Sequence, residues 1–331
     1  MKGIQLLGTM ALTAIAPIIW GSTYIVTTEL LPENSPLVAS TLRALPAGLM
    51  LVLLTRMLPT GQWWGRLIVL GFLNIGFFFY CLFFAATYLP GGMAALVMSV
   101  QPILVMALSY VLLNNTLSLK QALASLVAIV SVALLVLNNQ AELSTSGIVM
   151  GLLGTVSMAS GVVMTKRWGR PYGMSLLNFT GWQLLFGGLM LLPMAIWLEG
   201  LPNELSLNNL LGYGYLSVIG AMLAYSLWFY GIDKLPTITV SFLGFLSSVS
   251  AVILGYIVLD QSLTLLQLLG AVGILISIWL AAPRAAINHP ITNNHPITNN
   301  HPITNNHPIT INRPITINQT TTINNAQKES S

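Results

Sequence analysis

The chain has 331 residues, of which 55% are hydrophobic and 6% charged, with 12 Lys and Arg against 8 Asp and Glu and a formal net charge of +4. A soluble domain carries roughly 25% charged residues to cover its surface. A mean hydropathy of +0.79 therefore excludes a water-soluble globular protein, and the chain is expected to be integral to a membrane.

A bilayer-spanning helix needs about 20 mostly apolar residues to cross roughly 30 Å of hydrocarbon. Ten such segments are predicted, at 7–28, 37–57, 67–88, 93–113, 120–138, 147–165, 176–198, 211–232, 237–259 and 264–282. The first runs on through "APIIWGSTYIVTTE" without a small-x-small cleavage site and is followed by more apolar segments, so it reads as a retained helix rather than a signal peptide. It carries Trp20, Ser22, Thr23 and Tyr24, with Glu29 at its end.

The second segment, "LVASTLRALPAGLMLVLL", holds one cation, Arg43, in an otherwise apolar run. A charge at the centre of a spanning helix costs from about 3 to well over 10 kcal/mol, so something must offset it. Three readings stand open: the side chain snorkels to the outer interface about 9 Å away, it bonds carbonyls freed at Pro46 or an acceptor such as Glu29, or it meets a substrate carboxylate. The expectation is that Arg43 holds or gates the fold near the outer face.

The third segment carries Asn74, Tyr80 and the single cysteine, Cys81, which excludes a disulfide framework. Pro90-Gly91-Gly92 breaks the chain before a fourth segment with Gln101 and Pro102. The sixth opens with "GIVMGLLG" and the tenth contains "GAVG", spacings that allow helices to approach closely. The seventh carries Asn178, Trp182 and Gln183. The eighth carries Tyr225, Trp228 and Tyr230 and ends at Asp233, and Asp260 ends the ninth.

Lys and Arg near helix ends stay on the cytoplasmic side. With the N-terminus inside, Lys2, Arg56, Arg66, Lys120, Lys166, Arg167, Arg170, Lys234 and Arg284 all fall in cytoplasmic segments, while Glu29, Glu33, Glu142, Glu199, Glu204 and Asp260 fall outside. The even helix count puts both termini in the cytoplasm. The net charge is then a topology signal, not a nucleic-acid site.

An internal repeat organises the chain. Residues 108–123, "LSYVLLNNTLSLKQAL", lie without a gap over 254–269, "LGYIVLDQSLTLLQLL", at an offset of 146, and "GLML" at 48–51 matches "GLML" at 188–191 at an offset of 140. Each half holds five predicted helices, so the second must enter the membrane from the opposite side. The expected organisation is an all-α membrane protein with a first five-helix repeat at 1–140, a second, inverted one at 141–284, and a tail at 285–331. Inverted repeats are an architecture of secondary transporters, with the substrate held near the midplane.

The "WGSTY" of the first helix, "LRALPAGLM" around Arg43, "YLP" before the fourth and the twofold "(S/T)L(S/T)L" ends resemble the EamA family of the drug/metabolite transporter superfamily, over about residues 7–283. The resemblance implies a carrier of the inner or plasma membrane, commonly an exporter of amino acids, related metabolites or drugs, with a central cavity lined by both halves. One position departs from the pattern: relatives often have Glu where the fourth and ninth helices end, and here Asn115 and Gln261 stand there.

Polar and aromatic residues deep in helices are the cavity candidates, because an unsatisfied polar group in lipid is costly. They are Trp20, Thr23, Tyr24, Asn74, Tyr80, Gln101, Asn178, Trp182, Gln183, Tyr225 and Trp228, with Ser22 and Tyr230 beside them. Arg43 and Pro102 are the gate or structural candidates, and Glu29, Asp233 and Asp260 the possible coupling groups. Such a lining suits an amphipathic small molecule. A broad-specificity drug exporter and a non-transporting sensor or scaffold are the alternatives. No cofactor or metal is expected and no catalytic residue is assigned, since His289, His295, His301 and His307 all lie in the tail. The expected partners are a small-molecule substrate and the bilayer. In the tail, NHPIT recurs every six residues, with a proline in each unit and few apolar residues, which predicts disorder.

Overall fold

The computed structural model describes residues 3–32, 35–89, 97–116, 118–136, 144–200, 202, 204–258 and 264–282. Glu33, Pro90 to Gly92, Asp260 and the histidine-containing tail lie outside the described residues, as does the side chain of Tyr24.

Among the described residues every regular element is helical. In chain order they are α1 (Gly3–Gly21), α2 (Thr23–Leu30), α3 (Pro36–Thr55), α4 (Trp63–Gly71), a π-helical turn Phe72–Gly76, α5 (Phe77–Tyr88), α6 (Gln101–Leu113), α7 (Leu119–Val136), α8 (Thr145–Trp168), α9 (Leu176–Leu198), α10 (Leu207–Ser217), a second π-helical turn Val218–Leu223, α11 (Ala224–Lys234), α12 (Thr237–Leu243), α13 (Leu246–Val258) and α14 (Leu265–Ala281).

Several of these join into continuous apolar runs. Seven runs are long and apolar enough to cross a membrane, at 4–27, 36–55, 63–85, 145–168, 176–198, 207–234 and 237–258, and three shorter apolar helices lie at 101–113, 119–135 and 265–281. Each of the ten predicted segments overlaps one of them. Side chains such as Leu54, Val111, Leu119, Trp197, Leu265 and Trp279 are two-thirds or more exposed, a distribution that water would penalise and lipid would not.

Local chemistry sets the ends. Ser144, Ser175, Ser206 and Thr264 cap α8, α9, α10 and α14 by accepting a backbone N–H in the first turn, and Ser206 with Asn209 and Thr264 with Gln267 make reciprocal capping boxes. Gly169, at φ 67°, ends α8 in a conformation open to glycine. The start of α3 is closed from a distance: the Glu199 carboxylate accepts the N–H groups of Leu37 and Val38, both at 2.8 Å. That places a negative charge at the positive end of a helix dipole.

The helices of the two halves meet in reciprocal pairs. The most extensive contact is α3 against α9. A Cβ on Gly48 would collide with the backbone of Leu185, one on Gly188 would lie 2.7 Å from Leu45 Cα, and one on Gly181 would lie 2.7 Å from Leu51 Cβ. Residue number rises along one helix as it falls along the other, so α3 and α9 run antiparallel. α7 packs on α14, where Gly270 and Gly273 lie against Ser131. α1 packs on α11 and α13, and its counterpart α8 packs on α5 and α6. The two π-helical turns begin at Phe72 and Val218, which are 146 apart, the offset of the internal repeat.

Candidate functional site

Four polar constellations lie within this bundle. The first surrounds Arg43. Three residues before Pro46, its side chain is only 3% exposed, which rules out snorkelling into solvent. Its Nη2 donates to the Gly220 carbonyl at 3.1 Å and its guanidinium lies 5.1 Å from the centre of the Phe79 ring. Trp20 Nε1 donates to the same carbonyl at 3.0 Å. Gly220 belongs to the second π-helical turn, where one extra residue per turn shifts the helical ladder, a distortion that recurs at functional sites.

Aromatic rings enclose this group. Trp20 lies 4.9 Å from Tyr225 and 5.1 Å from Trp228, and Tyr225 lies 6.0 Å from Phe79. Tyr225 and Trp228 are each 1% exposed, and Trp228 Nε1 has no hydrogen-bond partner. Nearby, the Ser22 and Tyr215 hydroxyls share a hydrogen bond of 2.6 Å, joining α1 and α10 across the turn at Ser22.

The second constellation centres on Asn74, in the first π-helical turn and fully buried. Its Nδ2 donates to Thr165 Oγ1 at 3.1 Å and to Gln183 Oε1 at 2.9 Å, while its Oδ1 has no partner. Gly161 makes the room, since any Cβ there would strike the Asn74 amide. Between the two constellations runs a chain of rings, Tyr225 to Phe229 at 5.9 Å and Phe229 to Phe179 at 6.0 Å.

The third lies at the far end of α8. A cavity of about 100 Å³ is lined by Thr165, Lys166, Arg170, Phe179, Phe229 and Asp233 among others. Lys166 Nζ donates to the carbonyls of Ile232, Asp233 and Leu235 at 2.9, 2.9 and 3.0 Å, closing the C-terminus of α11. A cation there complements the negative end of the helix dipole. Asp233 itself pairs with Lys234 at 3.2 Å, its side chain one-third exposed.

The fourth constellation takes two cavity candidates elsewhere. Asn178 Nδ2 donates to Thr55 Oγ1 at 2.6 Å and to the Met57 carbonyl at 3.1 Å, and Trp182 Nε1 donates to the same carbonyl at 2.9 Å. Trp182 packs with Leu67, Leu70 and Phe179 in a separate apolar cluster. Both side chains therefore fasten α9 to the end of α3.

Of the remaining candidates, Thr23 Oγ1 and Gln101 Nε2 are buried without a partner, and Pro102 is buried beside Gln101 in the first turn of α6. Tyr80 lies 6.2 Å from Phe84 on the rim of the main core, and Tyr230 is half-buried. Glu29 is exposed near the end of α2. Sequence reasoning did not single out Thr165 or Gly220, and read Lys166 and Glu199 only as markers of topology. The signal for Gly220 was present, for it stands 146 residues after Asn74, and Gln183 stands 140 after Arg43.

The pattern of two equivalent helix sets is matched by family comparison: the description "EamA-like transporter family" fits residues 7–137 and again 145–282. The chain belongs to the EamA-like transporter family. It is thereby a multi-pass membrane protein of the drug/metabolite transporter superfamily. Among similar proteins, Protein PecM of Dickeya dadantii is 49% identical over 257 residues, covering 78% of this chain and 86% of its own. A probable amino-acid metabolite efflux pump of Salmonella typhimurium is 26% identical over 288 residues, covering 82% and 93% respectively. A solved crystal structure matches this EamA-like fold with a TM-score of 0.69 at 15% identity, over 83% of this chain and 97% of its own.

Proposed function

We propose that this EamA-like protein is a secondary carrier of the cell membrane that exports amino acids or related small amphipathic metabolites by alternating access. In this reading ten helices cross the bilayer as two inverted halves, 1–140 and 141–284, with both termini in the cytoplasm. The antiparallel run of α3 against α9 supports the inversion, because these are the second helices of the two halves. The confinement of Lys166, Arg170 and Lys234 to the end of the bundle that bears the cavity supports a cytoplasmic assignment for that end.

The observation that carries the substrate class is the buried group of Arg43, Trp20, Phe79, Tyr225 and Trp228. A cation among aromatic faces suits a small molecule with a carboxylate and an apolar body. The unpartnered donor Trp228 Nε1 offers a hydrogen bond that an incoming oxygen would complete. The PecM and efflux-pump relatives support export as the direction. Asp233, which lines the cavity, is the coupling candidate best placed to meet a proton from the cytoplasm.

Efflux from proteoliposomes loaded with mixed amino acids and their metabolites, with and without a pH gradient, tests this reading. Wild type is expected to release a subset of compounds, and Trp228→Phe to lose that selectivity. No flux above empty vesicles for any compound, from protein shown to be folded, would refute it.

A further inference from the structure

The two buried polar groups are related by the internal repeat. Arg43 and Gln183 occupy equivalent positions, 140 apart and each seven residues after the first residue of its helix, Pro36 or Leu176. Gly220 and Asn74 are equivalent at 146 apart, each within its π-helical turn. Trp20 and Thr165 lie in the first helices of the two halves but 145 apart, five residues off the 140 offset of the helices that follow, so they share a helix and not a repeat position. The contacts obey the same exchange. Arg43 and Trp20 of the first half converge on Gly220 of the second, and Gln183 and Thr165 of the second converge on Asn74 of the first. With α3 and α9 antiparallel about Leu45 to Leu51, the levels of Arg43 and Gln183 are about 10 Å apart along the bundle, at 1.5 Å per residue.

We propose that Asn74, Thr165 and Gln183 form a gating latch that is the symmetry counterpart of the latch made by Arg43, Trp20 and Gly220, the two closing opposite ends of one transport path. This rests on the carrier reading above and adds its gates. In each latch one half donates or accepts through its first and second helices, and the other offers the π-helical turn of its third. Rotation of one half against the other breaks one set of bonds and keeps the other, which is what alternating access requires.

The latches differ in chemistry, and that difference sets the resting state. The Arg43 latch sends a guanidinium and an indole N–H to one carbonyl, and bonds from a charged donor are the stronger kind. The Asn74 latch joins only neutral groups, Asn74 Nδ2 to Thr165 Oγ1 and to Gln183 Oε1, whose bonds are the weaker kind. The Asn74 latch is therefore the weaker, and Thr165, one of its members, already borders the 100 Å³ cavity. The unloaded protein rests with the Arg43 end shut and opens first at the Asn74 end.

Thiol labelling separates this from a general packing role. In a Cys81→Ala background, Val162→Cys and Ala224→Cys place small reporters in fully buried positions, one turn inward of Thr165 and of Gly220 respectively. A membrane-impermeant maleimide is applied to inside-out and right-side-out vesicles. Thr165→Val, which removes one latch hydroxyl at nearly constant shape, is expected to raise labelling of Val162→Cys from the cytoplasmic side about threefold to tenfold, as loss of one hydrogen bond predicts. It is expected to lower labelling of Ala224→Cys from the opposite side. Trp20→Phe is expected to do the reverse, and Thr165→Ser to restore wild-type labelling.

Equal loosening of both reporters, or no movement of either, overturns the latch assignment. Opposite shifts without flux of any compound uphold the latches and count against the carrier reading. Flux without labelling shifts does the converse. Gel filtration in detergent confirms that each variant scored is folded, and Asn74→Ser replaces Thr165→Val if that variant is not.

Discussion

Replacing Lys166 by methionine tests the role of the lysine at the end of α11 most directly. Methionine keeps the length of the side chain and removes its three donors, so the carbonyls of Ile232, Asp233 and Leu235 lose bonds of 2.9 to 3.0 Å. A hydrogen bond contributes about 1 kcal/mol net, and bonds to a charged group somewhat more. One of the three is solvent-exposed, and Ile232 and Asp233 line the cavity, which lowers the sum to about 2 to 3 kcal/mol. At roughly 2 to 4 °C per kcal/mol for a domain of some 200 residues, the unfolding midpoint of the detergent-solubilised protein should fall by about 4 to 12 °C. Asp233→Asn supplies the control. The Asp233 carboxylate pairs with Lys234 at 3.2 Å, with the two side chains 33% and 49% exposed, and an exposed pair of this kind is worth at most about 1 kcal/mol. Its midpoint should shift by no more than about 4 °C. A Lys166→Met midpoint equal to wild type, or an Asp233→Asn loss as large as that of Lys166→Met, would refute the argument that the lysine acts by closing the helix end.

Two further outcomes follow from packing. Gly48→Ala drives a Cβ into the backbone at Leu184 and Leu185, which cannot yield as a flexible side chain does. The strain of such overpacking is about 1 to 3 kcal/mol or more, seen as reduced expression and thermal stability, whereas Gly8→Ala, with nothing within 4 Å, should leave both unchanged. Trp182→Phe removes the bond to the Met57 carbonyl and should lower stability by about 1 kcal/mol while leaving the apparent KM for a transported substrate at its wild-type value. A large rise in KM would return Trp182 to the transport path.

Much of this was legible in the chain. Membrane residence, the helix positions and the repeat offsets are properties of local hydropathy and spacing, which survive whatever the helices later pack against. The equivalence of Arg43 with Gln183 and of Asn74 with Gly220 was also written there, since the offsets of 140 and 146 already relate them. Their meeting was not. Arg43 finds its carbonyl 177 residues away, on a π-helical turn whose extra residue is invisible to a 3.6-residue period.

The same limit separates residues on one helix. Asn178, Trp182 and Gln183 are all buried on α9, and composition gives them equal standing as cavity residues. Yet Asn178 and Trp182 turn to Met57 while Gln183 turns to Asn74. In lipid a helix that is apolar all round carries no amphipathic stripe to say which face looks inward. Charge gave an expected topology and no contacts, so Lys166 and Glu199 read only as markers of a side, and packing turned them into caps on α11 and α3. Sequence by itself determined the apolar helices and their register in two halves, because length and hydropathy act locally. Only the tertiary structure decided which polar groups face each other, because that depends on the rotation of each helix about its own axis.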